Sequence, residues 1–167
     1  MNIFYLDNDP VQCAAYHCDK HVVKMILETA QLLCSAHHLC GTADGVSLDS
    51  LYRLTHQNHP CAIWVRASYL HYDWTYRLFI ALCQEYTHRY ARTHLTDTKL
   101  TAILAHNPIT PISPITIDTT PFVPPPAVMP DEYKNTDVIT AYRTYYKHGK
   151  ADILTYTHRD VPVWLMN

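Results

Sequence analysis

The segment His17-Cys18-Asp19-Lys20-His21-Val22-Val23-Lys24-Met25-Ile26-Leu27-Glu28 combines two imidazoles, two amines and two carboxylates within a run that is otherwise largely apolar. On a helix, at about 100° per residue, positions 17, 21, 24 and 28 fall in one stripe. Ionisable groups in such a stripe need partners or a chemical use, because an unpaired charge is costly to bury. The stripe is therefore read as the floor of an active or binding site. Three readings of it stand open. His17 and His21, at i and i+4, have the spacing of a helical metal pair that Glu28 or His59 would complete. Alternatively, Glu28 is a reacting carboxylate whose proton affinity is set by Lys24 or His21 on the same face. The bland reading is a pair of satisfied structural histidines.

Two further constellations bear on partners. Arg66, Arg77, Arg89 and Arg92, with Tyr69, Tyr72, Tyr76, Tyr86 and Tyr90, make a ladder of cations and rings in which Arg66, Tyr69, Asp73, Tyr76 and Arg77 follow helical spacing. They suit either a solvated face with snorkelling arginines or a surface for phosphates and bases. The second constellation, Tyr142-Arg143-Thr144-Tyr145-Tyr146-Lys147-His148-Gly149-Lys150, interleaves basic groups with rings and is the best local nucleic-acid signal in the chain. Arg143, Tyr145, Tyr146, Lys147 and Lys150 are its candidate contacts. The competing reading packs Tyr142 and Tyr146 into the core with the basic groups outside.

The elements that must position these groups are mostly helices. Residues 2–6 form a short apolar run, a strand or an extended lead-in, and Asp7, Asn8 and Asp9 before Pro10 signal a helix start. Helix is expected from there to about Leu39, restarting at Asp19, with Gly41 as its end. Residues 42–57 read as a polar connector with a helical turn near Leu48. A second long segment is expected from Asn58-His59-Pro60 to about Arg92, divided near His71-Tyr72-Asp73, and a third from Thr96 to His106. Eight prolines between Asn107 and Pro130 rule out regular helix and predict an extended, apolar arm lying across the helices through Ile109, Ile112, Ile115, Ile117, Phe122 and Val123. A last helix is expected over about Thr136 to His148. The fold class is thus mainly α: a single helical domain over 1–167, with long helices and a proline-rich extended arm at 107–130.

With 167 residues and 48% hydrophobic content, the chain is long enough for one domain with a real core. A net charge of -2 disfavours generic DNA coating and confines any nucleic-acid contact to local patches. The six cysteines form no Cys-x2-Cys pair and no secretory h-region is present, which predicts reduced thiols in a cytoplasm. No run approaches the ~18 apolar residues of a membrane span.

Over nearly its whole length, through His17 to Met25, Asn58-His59-Pro60, Met129-Pro130-Asp131-Glu132-Tyr133-Lys134 and Ala141-Tyr142-Arg143, the sequence resembles an uncharacterised family of tailed-bacteriophage proteins. At its two ends, through Asp19-Lys20-His21 with Glu28 and the aromatic-basic tail, it is similar to the small helical pyrimidine-dimer DNA glycosylase of phages. That resemblance implies a terminal α-amine, here of Met1, that attacks the sugar to form a Schiff base. It also implies Glu28 as the catalytic carboxylate, His21 as a substrate-binding residue and the Tyr145-Tyr146 region as a DNA contact. An α-amine, ordinarily titrating near ~7.7, is partly neutral and nucleophilic at physiological pH, whereas Lys24 would need its pKa lowered. The preferred expectation is an enzyme of the glycosylase/lyase type acting on DNA or a nucleotide in a host cytoplasm, centred on His17, His21, Lys24, Glu28 and Met1, without metal or other cofactor. The alternatives are a non-catalytic phage accessory protein binding a nucleotide or a host protein, and a metal-dependent helical enzyme.

Overall fold

The computed structural model describes residues 1–42, 45–109 and 121–166. Among them are seven α-helices and no strand: α1 Pro10–Tyr16, α2 Asp19–Cys40, α3 Pro60–Ala67, α4 Tyr69–Tyr90, α5 Leu95–Leu104, α6 Val138–Gly149 and α7 Val163–Met166. The expected mainly-α class is what the chain adopts. Asp9 caps α1 by accepting from the Val11 and Gln12 amides, with Pro10 at the first helical position. Gly41, at φ 95°, closes α2 where an L side chain would be strained.

The restart expected at Asp19 is where α2 begins, and the break before it, at His17-Cys18, both extended, puts His17 off the α2 helix and outside the stripe. One boundary departs from expectation. The second break falls at Ser68, not at His71-Tyr72-Asp73. Ser68 is extended (φ -152°), and its hydroxyl caps α4 by accepting from the Leu70 amide. Beyond α6 the tail is not featureless: a 3-10 turn over Ala151–Ile153 and the short α7 follow.

The two 22-residue helices, α2 and α4, form the centre of the domain, with α1 packed on α4 and α3 and α5 on α2. Val22, Met25, Ile26, Ala30, Leu33 and Ala36 give α2 its buried face at helical spacing. The lead-in, residues 2–6, carries no helix or strand, and its Ile3, Phe4, Tyr5 and Leu6 are buried. It is fastened by the far end of the chain, since Arg143 of α6 donates to Leu6 O (2.9 Å) and pairs with Asp7 (3.2 Å). A second tie lies across the domain. Arg89 is buried between Glu85 (2.9 Å) and Asp19 (3.0 Å), Arg159 also grips Glu85, and Asp19 accepts from the amide and hydroxyl of Thr157.

Of the arm, residues 121–130 are described, and they form no helix or strand. Phe122 sits among the rings of Tyr5, Trp64, His71 and Trp74, and Trp64 Nε1 donates to Val123 O (3.0 Å). Ile109, Phe122 and Val128 pack against the core, as expected of an apolar arm. Ile112, Ile115 and Ile117 lie outside the described residues. No described helix is long and apolar enough to cross a membrane.

Candidate active site

Glu28 lies two and a half turns into α2, at the edge of its buried face, with a side chain 13% exposed. Its Oε1 pairs with Lys24 Nζ at 3.1 Å, the i, i+4 neighbour on the same helix. Its Oε2 receives the backbone N–H of Asn2 at 3.1 Å and stands 3.9 Å from the α-amine of Met1. The carboxylate thus joins a side-chain amine and the amine at the start of the chain. His59, which caps α3 by accepting from the Cys61 amide, completes the neighbourhood. Burial and the charges of the α-amine and His56 lower its proton affinity, and the charge of Glu28 opposes them.

The remaining residues of the expected stripe are placed differently. His21 is buried beside this cluster, with Nδ1 2.6 Å from the Tyr146 hydroxyl and its ring stacked on Phe4 at 4.4 Å. Burial, followed by the charges of His17, Lys150 and Lys24, pushes its pKa down to about 3. His17 is fully buried and burial lowers it to about 4. Its Nδ1 lies 2.7 Å from Cys13 O, an atom that only accepts, so Nδ1 carries the proton of the neutral ring. Nε2 is left a buried lone pair with no partner among the described residues. The expectation that His17 shares a helical stripe with His21, Lys24 and Glu28 is therefore corrected: the chain turns at His17-Cys18, and the ring enters the core. No cluster of three or more His, Cys, Asp or Glu among the described residues is arranged to hold a metal ion.

The aromatic-basic segment also divides. Tyr146 is fully buried, so its ring offers no face to a base, which corrects its assignment as a nucleic-acid contact. Arg143 is occupied by Leu6 O and Asp7 and lies over the rings of Tyr16 and Trp164, so in this structure it fastens the lead-in. Arg66, from α3, donates to Gln57 O at 2.6 Å and does not reach the Glu28 cluster through any bond described. Tyr145 and Lys147 are half-buried, and Lys150 sits 4.9 Å above the Tyr145 ring. Lys24, on α2, and Lys150, just beyond α6, both lower the proton affinity of His21 through their charge.

A carboxylate that faces the amine at the chain start and pairs with Lys24 is an arrangement for amine chemistry. The profile of the pyrimidine dimer DNA glycosylase family matches residues 1–98. The chain belongs to that family. No curated protein matches it, and no solved structure does. Within this pyrimidine dimer DNA glycosylase family member, the matched span contains Met1, His21, Lys24, Glu28 and His59, and ends inside α5. The arm, α6 and α7 lie beyond it.

Sequence reasoning missed Asn2, whose side chain donates to Val128 O (2.9 Å) and accepts from the Tyr142 hydroxyl (2.8 Å). It also missed Phe4 as the floor beneath His21. The only sequence signal for either was the buried character of residues 2–6, since contacts 126 and 140 residues apart leave no local pattern.

Proposed function

We propose that this protein is a DNA glycosylase with abasic-site lyase activity, acting on DNA that contains pyrimidine dimers. The nucleophile is the amine at the start of the chain, and Glu28 manages its protons. The observation that carries this reading is the convergence of the Met1 α-amine, the Asn2 backbone nitrogen and Lys24 on the two oxygens of Glu28. Family membership supports DNA as the substrate.

The chemistry follows from those positions. The neutral amine forms a bond to C1′ of the sugar as the bond from C1′ to the base breaks. The electron pair of that bond leaves with the base, which takes one amine proton. The nitrogen lone pair then opens the sugar ring to an imine, the second amine proton ends on O4′, and loss of a proton from C2′ expels the 3′-phosphate and cuts the strand. Glu28, within reach of the amine, accepts and returns these protons and stabilises the positive charge that develops on the nitrogen. Lys24 keeps the carboxylate in place through Oε1. Lys24, Lys147 and Lys150 supply local positive charge for phosphates on a chain of net charge -2. His21, held neutral by burial, serves as a hydrogen-bonding and packing wall, and His17 supports it from the core. No step draws on a metal, so activity is expected to persist in EDTA. The resemblance to bacteriophage proteins supports action in the cytoplasm of an infected cell.

A duplex carrying one cyclobutane pyrimidine dimer tests the reading. The wild-type protein is expected to cleave it at the dimer and spare the undamaged duplex. Glu28→Gln should lose roughly 10²–10⁴-fold in rate, the range for a positioned acid or base, with DNA affinity within about twofold. A dimer duplex left intact by wild-type protein would contradict the proposal. So would a Glu28→Gln variant of normal rate.

A further inference from the structure

Tyr142 of α6 is fully buried, yet its hydroxyl ends in a polar knot. It lies 2.8 Å from Asn2 Oδ1 and 2.9 Å from Pro126 O, both acceptors, and it receives the Val128 N–H at 3.1 Å. Asn2 completes the knot by donating its side-chain amide to Val128 O at 2.9 Å and its backbone N–H to Glu28 Oε2 at 3.1 Å. One residue is thus held at its side-chain carbonyl by α6, at its side-chain amide by the arm and at its backbone by the carboxylate of the candidate site. Because the peptide bond between Met1 and Asn2 is planar, fixing Asn2 leaves the α-amine only the rotations of Met1 itself. A hydroxyl is expensive to bury, and a phenylalanine would fill the same apolar space beside Phe4, whose ring centroid is 5.9 Å away. The hydroxyl is explained by what it holds.

We propose that Tyr142 is a positioning residue for the amine chemistry: acting through Asn2, it and the arm set the amine at the chain start against Glu28 without touching DNA. The proposal rests on the glycosylase/lyase reading and deepens it, because it extends the machinery of the reaction to residues 126–142, beyond the span that the family profile matches. If removal of Met1 exposes Asn2 as the first residue, the same clamp acts on the new amine directly, already 3.1 Å from Glu28.

The test uses the full-length protein and a duplex with a single abasic site, whose C1′ aldehyde condenses with an amine whatever base was lost. Borohydride then reduces the imine to a stable adduct. Single-turnover trapping rates and DNA affinity are measured for wild type, Tyr142→Phe and Asn2→Leu, which cut the clamp from opposite ends, with thermal melts to confirm folding. Tyr72→Phe is the control. Its hydroxyl is also buried and bonded, to Leu104 O and His37 Nε2 at 2.9 Å each, but His37 lies about 13 Å along α2 from Glu28. Misplacing a reacting atom by an ångström costs up to about a hundredfold, so trapping should slow roughly ten- to a hundredfold in both clamp variants. Affinity should stay within about twofold, and Tyr72→Phe should trap like wild type.

Trapping by either clamp variant at the wild-type rate, or slowed no more than in Tyr72→Phe, would overturn the proposal and leave the glycosylase/lyase reading standing. A parallel loss of DNA affinity would also overturn it, by making the clamp part of binding. If wild-type protein yields no adduct, the underlying reading falls and the proposal with it.

Discussion

At the scale of single residues, the proposed chemistry depends on Glu28 and on what reaches its two oxygens. The Lys24 pair is mostly solvent-exposed on the lysine side, at 66%, so it is worth little as a stabilising contact. Lys24→Ala is therefore expected to leave the melting temperature within about two degrees, while the freed carboxylate lowers the trapping rate several-fold. An unchanged rate would show that Lys24 does not steady Glu28. Adding two residues before Met1 removes the amine from its place without altering any side chain. Trapping should then fall at least a hundredfold with affinity for an abasic duplex maintained, as checked by gel shift. Glu28 and Lys24 were legible in the sequence because a helix repeats at fixed spacing and both lie on α2. Asn2 was not, because its role comes from an arm and a helix more than a hundred residues away.

At the scale of elements, the decisive feature is that the last long helix holds the first residues of the chain. Arg143 binds Leu6 O and Asp7, and Tyr142 holds Asn2. Arg143→Met, which keeps the stem but drops the fork, should cost about 1–3 kcal/mol in denaturant melts, as expected for leaving a carbonyl and a carboxylate without their partner. It should also slow trapping more than it weakens binding. A variant as stable as wild type would mean that the lead-in is held by its buried side chains alone. The caps of α1 and α3 and the stop at Gly41 were legible because Asp, Pro and Gly act locally. The break falls at Ser68, three residues before the point the sequence indicates, since a serine inside an apolar periodic run gives the same pattern whether it caps a new helix or continues the old one. His17 shows a different limit: the restart at Asp19 was legible, but that the turn before it carries His17 out of the stripe and into the core was not.

At the scale of the whole molecule, buried neutral histidines set how stability responds to acid. His17 and His21 have folded-state pKa values near 4 and 3, below the 6.5 expected of an unfolded chain. Between those limits the unfolded state binds protons that the folded state refuses, so stability rises with pH and is lost as pH falls below about 6.5. Each histidine contributes at most about 1.4 kcal/mol per pH unit within that window. The carboxylates of Asp19 and Glu85 add a second loss at lower pH. Burial opposes their ionisation, but hydrogen bonds from Thr157 and Arg89 to Asp19, and from Arg159 and Arg89 to Glu85, hold both below their ordinary range. Melting temperatures from pH 7 to 4 should therefore fall steadily, and a flat profile would contradict the burial of these rings. Composition and periodicity made the mainly-α class legible. The joining of the two chain ends was not, because it is written only in long-range contacts. The most direct test of the account is to trap wild-type protein on an abasic duplex with borohydride, digest it and locate the modified residue by mass spectrometry. The sugar remnant is expected on the amine at the start of the chain, and an adduct on Lys24 or any other lysine would overturn the proposed nucleophile.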